Sequence, residues 1–256
     1  MNNIITSRTN KTIVEASKLK DRKYREQKGL YYFEGRKLFE EALESAVTFE
    51  SVFITEKYVK TQNIPLDRVN APIYTVTDTV YEKLSDDRAP DGIFCIAKKN
   101  IPAKAELGTV FILCSVRDPG NLGTCIRSAR AFGIDTLILH DCADEYNAKV
   151  IRASMGAFFR QSMHRTENIE ETIRKLYDDG YIVLPSALSA NSTSLSDITI
   201  TPKTVFIVGN EGHGVPESVI KACNNTSVLI PMRGDTESLN ASVAASLLMW
   251  EISKVL

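Results

Sequence analysis

The sequence holds no apolar run near the roughly 20 residues a membrane span needs. Its first residues, MNNIITSRTNKTIVEASKLK, lack the apolar centre of a secretion signal. A cytoplasmic location with no membrane partner is therefore expected. The five cysteines (Cys95, Cys114, Cys125, Cys142, Cys223) are scattered and include no C-x-x-C pair. That excludes a disulfide scaffold or a cysteine-based zinc site, and predicts buried thiols. Neither G-K-[ST] nor G-x-S-x-G occurs, which removes the phosphate-cradling loop and the hydrolase elbow. The three histidines (His140, His164, His213) have no sequence relation to a nucleophile or to one another. No metal site is expected.

Net charge is only −1, so a generic polyanion binder is disfavoured, but the charge is unevenly spread. Residues 1–37 carry ten basic against four acidic side chains, leaving the remainder acidic. A basic head on an acidic body suggests local contact with a polyanion. The alternative is a solvated helix face whose charges answer one another.

The first hundred residues alternate helix-like stretches, NKTIVEASKLKDRKYREQ and GRKLFEEALESA, with three β-rich runs, SVFIT, PIYTVT and GIFCIAKK. A small α/β domain over residues 1–100 follows. NIPAKAELG combines proline, glycine and no periodicity, so 101–108 is the expected linker to a second domain, 109–256. There apolar strand candidates recur: TVFILCS, IDTLILH, FFRQSMH, YIVLPSAL, TVFIVGN and SVLIPM. Strands apolar on both faces, mostly separated by helical stretches, indicate a largely parallel sheet covered by helices. Such sheets bind ligands at the carboxyl ends of their strands, so the informative loops follow Ser115, Ser186, Asn210 and Met232.

After the first strand comes SVRDPGNLGTCIRSARAFG. Asn121 is placed to cap a helix, with Gly123 in its first turn and Arg127 and Arg130 along one face near its start. Cations there oppose the helix dipole and call for a local anion, either a ligand or a carboxylate such as Asp118. GNEGHGVP spaces its glycines in the wrong order for a dinucleotide fingerprint, and no acidic residue ends the next strand. His213 in this loop is the one histidine placed for a role, the alternative being a surface or hydrogen-bonded loop residue. In RGDTESLNASVAASLLMW a polar turn precedes a helix with hardly any polar face. A cap explains one polar residue, not the set, and the helix is expected to be buried between layers or at a subunit interface.

Together these loops resemble the SpoU (TrmH-type) branch of the SPOUT RNA methyltransferases. Asn121, Gly123 and Arg127 match that family's first motif, VGNEGHGV its second and IPMRGDTESLNASVAA its third, over about 140 residues from Val110 onward. The first hundred residues look like the substrate-binding domain often found ahead of this catalytic domain. The resemblance implies an α/β fold, mostly parallel sheet, with a C-terminal trefoil knot and a homodimer. It also implies S-adenosylmethionine as cofactor. The family's cofactor positions fall on Ser186, Ala187, Gly209, Ile230, Met232 and Leu239, and its active-site positions on Asn121, Arg127, Glu211, Ser238 and Asn240.

The implied reaction is methylation of a ribose 2′-hydroxyl of RNA, ribosomal RNA before transfer RNA. It needs neither metal nor covalent intermediate, but the hydroxyl must be oriented and relieved of its proton. Arg127 would act as base, which needs an unusual environment for a guanidinium, or as phosphate anchor. Arg8, Lys11, Lys18, Arg22, Lys23, Arg36 and Lys37 are the candidate RNA contacts. The competing readings are a catalytically silent dimeric RNA-binding protein and an enzyme using another nucleotide cofactor.

Overall fold

In the computed structural model, residues 4–61, 65–87, 89–99, 107–188, 191–210, 212–234 and 238–256 are described. The elements in the first part of the chain are α1 (Lys11–Lys18), α2 (Arg22–Lys28), β1 (Leu30–Glu34), α3 (Arg36–Leu43), β2 (Phe49–Thr55), α4 (Glu56–Thr61), β3 (Ile73–Val76), α5 (Asp78–Leu84) and β4 (Ile93–Lys98). There follow β5 (Val110–Cys114), α6 (Pro119–Ala131), β6 (Thr136–His140), α7 (Ala148–Ala153), β7 (Ser162–Arg165), α8 (Ile169–Asp178) and β8 (Ile182–Pro185). The chain closes with β9 (Ser192–Ser194), β10 (Thr204–Val208), α9 (Glu217–Ala222), β11 (Ser227–Leu229) and α10 (Ala241–Ser253). It divides into two compact units, Met1–Ile101 with Tyr146–Arg160, and Pro102–Glu145 with Gln161–Leu256.

The first unit holds a four-stranded sheet of order β1-β4-β2-β3, antiparallel except between β2 and β3. The long N-terminal helical stretch is two helices. Asp21 caps the second by accepting from the Tyr24 amide, and Gly29 ends it in the left-handed region that favours glycine. Buried Arg25 ties the corner by donating to the Leu19 and Lys20 carbonyls at 2.7 and 2.9 Å. β1 is a strand the sequence reading lacks. LYYFE is buried almost throughout and shows no alternation, so only its pairing with β4 identifies it.

The unit is completed by a segment distant in sequence. The expected continuous second domain is interrupted at Tyr146–Arg160, which packs within the first unit. The Tyr31 ring meets Tyr146 and Phe158 at 5.2 and 5.6 Å, and Phe33 meets Phe159 at 4.9 Å. Arg152 pairs with Asp87 at 2.9 Å and lies 3.8 Å from Glu34. This is why FFRQSMH is not one strand: the phenylalanines sit in a 3-10 turn and β7 begins only at Ser162.

The second unit holds a five-stranded, all-parallel sheet of order β7-β6-β5-β10-β8, with β9 and β11 as a separate parallel pair. β5 and β10 are buried at every position, as central strands covered on both faces are. One face packs Ile112 and Ile207 with Ile173 of α8 and Val219 of α9. α6 packs against α10, joined by a Ser128–Ser246 hydroxyl contact of 2.7 Å. α10 is not buried all round. It hides Ala245, Leu248, Met249 and Ile252 but leaves Val243, Leu247 and Trp250 at 47%, 41% and 49% exposure.

Candidate active site

β5 neighbours both β6 and β10. The connections from β5 and β10 therefore leave the sheet at the point where strand order reverses, the place where parallel sheets open a crevice for ligands. Ser115, just past β5, has φ 59° and donates its amide to the His140 carbonyl at 2.8 Å. Asp118, not Asn121, caps α6: its side chain accepts from the Asn121 amide at 2.8 Å, and Pro119 takes the first helical position. The start is earlier than expected because Asp-Pro already supplies both a cap and a preset φ. Asn121, relieved of capping, accepts from Asn240 Nδ2 at 3.1 Å.

The earlier start also moves the arginines. Arg127 lies two turns into α6 and Arg130 in its last turn, where a cation suits the dipole. The expected conflict with the helix start does not arise. Arg127 is exposed and its side chain makes no ion pair or hydrogen bond among the described residues.

The loop after β10 is closed on itself. Gly214 donates to the Asn210 carbonyl at 2.8 Å and Asn210 to the Gly214 carbonyl at 3.1 Å. A Cβ at Gly209 would lie 2.2 Å from the Gly214 carbonyl, so no other residue fits there. Asn210 Oδ1 accepts from the Gly212 amide at 2.8 Å while Nδ2 donates to the Ser115 carbonyl at 3.2 Å. One side chain thus braces its own loop and ties it to the loop after β5. The sequence reading names Asn210 only as the start of a loop and gives it no role, although an asparagine ending a strand before glycines is a turn-forming signal. His213 is exposed. Glu211 lies outside the described residues.

Beyond β8, Ser186 donates to the Ile207 carbonyl at 2.7 Å and Ala187 to the Val228 carbonyl at 3.2 Å. Ser192 Oγ accompanies this turn, 2.9 Å from the Ala187 carbonyl and 2.7 Å from Ser227 Oγ. The third loop runs from β11 to α10; its Asp235, Thr236 and Glu237 lie outside the described residues, and Ser238 is exposed. Asn240 caps α10, its Oδ1 accepting from the Ser242 and Val243 amides at 2.9 and 3.4 Å.

These loops enclose a cavity of about 420 Å³. Ser186, Ala187, Gly209, Ile230, Met232 and Leu239 all line it, together with Ser238. Asn121, Arg127 and Asn240 do not, but Asn240 stands between Leu239 and Ala241, which do. Among the described residues no cluster of His, Cys, Asp or Glu could hold a metal, and no helix is long and apolar enough to cross a membrane.

The basic residues chosen for RNA contact fare unevenly. Arg8 pairs with Glu82 at 2.9 Å, Lys18 with Glu15 at 2.7 Å, Arg22 with Glu26 at 2.8 Å and Arg36 with Glu40 at 2.7 Å. Lys11, Lys23 and Lys37 are exposed and have no ion-pair partner among the described residues. Much of the basic head therefore answers its own carboxylates, as on a solvated helix face.

Comparison with known proteins bears on the same two regions. Residues 108–250 match the SpoU rRNA Methylase family model, and residues 10–95 match that of the MRM3-like substrate binding domain. The 23S rRNA (guanosine(2553)-2′-O)-methyltransferase RlmP of Bacillus subtilis is 29% identical, covering 97% of this chain and 98% of that protein. The AdoMet-bound rRNA methyltransferase from Sinorhizobium meliloti superposes with a TM-score of 0.86 at 26% identity, over 99% of this chain and 98% of that one. A crystallised RNA 2′-O ribose methyltransferase gives 0.82 at 26% identity, over 99% and 100%. With its sheet, its strand-end cavity and a family match over more than half its length, the chain belongs to the SpoU rRNA methylase family.

Proposed function

We propose that this chain transfers a methyl group from S-adenosylmethionine to a ribose 2′-hydroxyl of ribosomal RNA. The observation that carries the reading is the convergence of all six cofactor candidates on one cavity at the strand-order reversal. Its volume falls within the ~300–1,000 Å³ common for small-molecule sites. Main chain near Gly209, Ile230, Met232 and Leu239 would hold the cofactor, with Ser186 and Ala187 at the turn beyond β8. When bound, S-adenosylmethionine supplies a methyl group on a positively charged sulfur, which makes it electrophilic.

The chain's own residues must then place the neutral hydroxyl, whose proton passes to water as its oxygen attacks the methyl carbon and the methyl–sulfur bond breaks. Arg127 is accessible and unpaired among the described residues, as a phosphate anchor requires. Guanidinium groups keep their charge in proteins, so anchoring and hydroxyl orientation are its assigned tasks rather than base action. Ser238 offers a hydroxyl on the cavity wall, and the Asn121–Asn240 contact fixes α6 to the turn before α10. Glu211 completes the proposed set by its motif position alone.

The finer expectations belong here too. RlmP and the Sinorhizobium protein, both named for rRNA, support ribosomal over transfer RNA. A homodimer is supported by the apolar stripe Val243, Leu247 and Trp250 on α10. A threaded C-terminal segment is supported by Ile230, Met232 and Leu239 lining one cavity with Ser186 and Gly209. An RNA substrate is compatible with the expected cytoplasmic location.

The test is Arg127→Ala, assayed for methyl transfer to total RNA and for S-adenosylmethionine binding. Turnover should fall by about 10²-fold or more while cofactor binding stays within about twofold of wild type. Turnover near the wild-type rate would remove Arg127 from the site. Mapping 2′-O-methyl groups in RNA from cells with and without the protein identifies the target nucleotide.

A further inference from the structure

A second cavity, about 750 Å³, lies within the first unit, and Lys11 is the one candidate RNA contact named above that lines it. It opens between α1, the end of α2 and the strands β2 and β4. Its floor is aromatic: the Phe53 and Tyr74 rings stack at 5.2 Å with 25° between planes, Phe53 buried and Tyr74 half-buried. One wall is the half-buried Tyr24 ring, with the Lys18 and Lys28 ammonium groups each 5.6 Å from its centre and its hydroxyl bonded to Glu15. That ring is thereby held in place without being covered.

Lys11 and Lys28 stand at this cavity, exposed and with no ion-pair partner among the described residues. Paired cations such as Arg8, Arg22 and Arg36 would have to give up a carboxylate to meet a phosphate; these two need not. Glu50, at a loose 3.6 Å from Lys98, adds a carboxylate acceptor to the lining. Aromatic faces, two exposed cations without an ion pair among the described residues, and an acceptor form a set that fits one ligand chemistry. Bases offer π-faces and amino groups, and their backbone offers phosphates.

We infer that this cavity receives an unstacked nucleotide of single-stranded RNA, with Tyr24 and Tyr74 against the base and Lys11 and Lys28 on the flanking phosphates. The inference rests on the RNA reading above, and it makes the first unit select unpaired RNA. A duplex does not satisfy the site, because its bases present edges rather than faces.

The experiment uses the full chain and a fluorescein-labelled oligo(A) 12-mer, alone and annealed to oligo(U). The single strand should bind more tightly than the duplex. Lys11→Gln/Lys28→Gln should weaken single-strand binding about tenfold and reduce the slope of log K against log salt by about 1.4, two phosphate contacts at ~0.7 each. Tyr74→Ala should weaken it about tenfold and Tyr74→Phe should restore it. S-adenosylmethionine affinity should not change in any variant. No binding by the wild-type chain, equal binding of both forms, or wild-type binding by the lysine variant overturns the site. Failure of the wild-type chain to methylate total RNA would instead overturn the proposed function, a separate readout.

Discussion

Asn240 is asked to do two things, and a pair of substitutions separates them. Its Oδ1 caps α10 through the Ser242 and Val243 amides and also accepts from Ser242 Oγ at 2.7 Å, while its Nδ2 reaches Asn121 at 3.1 Å. Losing the cap costs about 1 kcal/mol, and losing the hydrogen bond to Asn121 about 1 kcal/mol more. Asn240→Ala removes both, some 2 kcal/mol, which for a unit of this size lowers Tm by about 4–8 °C. Asn240→Ser retains a capping oxygen and loses only the reach to Asn121, so its Tm should fall by about 2–4 °C. Thermal unfolding is read alongside methyl transfer. If the contact between α6 and the turn before α10 positions the site, the serine variant keeps most of its stability yet loses most of its turnover. A serine variant turning over like wild type would reduce Asn240 to a cap. An alanine variant within about 1 °C of wild type would refute the capping argument as well.

Asn210→Ala removes the brace to Gly212 and the tie to Ser115; S-adenosylmethionine affinity measured calorimetrically should drop about tenfold, and an unchanged value would show the loop closes without it. Glu34 is held above the usual carboxyl range by burial, against the opposing pull of Ser85, the Asp86 amide and Arg152. A raised folded pKa means its contribution is fullest below about pH 4.3 and is lost as pH rises through the folded value. Chemical denaturation at a series of pH values should therefore show a decline that Glu34→Gln flattens; parallel profiles would contradict the assignment. Leu247→Glu, centred in the exposed stripe of α10, should convert a dimer to monomer in sedimentation, and an unaltered dimer would place the interface elsewhere.

What could be read before the coordinates was whatever rests on local pattern. Val110–Cys114 and Thr204–Val208 are continuous apolar runs bounded by polar turns, and each became a fully buried strand. Asn240 before an apolar helix is a cap signature and it caps. Tyr31 and Phe33 carry no such periodicity, because their strand is buried by β4 on one edge and by rings more than a hundred residues away. Asn121 was misread because two good caps stand three residues apart and the proline, not the asparagine, decides between them. Basic residues in the first unit were counted as charge, whereas their use depends on which carboxylates fold beside them. Lys11 and Lys18 lie on the same helix, yet only Lys18 has Glu15 at 2.7 Å. The six cofactor candidates were named by motif position. Their common cavity was not, since it depends on three loops brought together by strand order.

The placement of Tyr146–Arg160 among the first unit's rings sets an order of events during synthesis. The first hundred residues leave the ribosome early, but Tyr31 and Phe33 lack the Tyr146, Phe158 and Phe159 rings until residue 160 has followed. At ~5–20 residues per second that is a delay of about 3–12 s in which the sheet stands with an open aromatic face. A nascent chain halted at residue 101 should therefore attract chaperones and resist compaction, while one halted past 160 should not. The two units are thus interleaved in time as well as in sequence, and a cut in the linker would not yield two independent pieces.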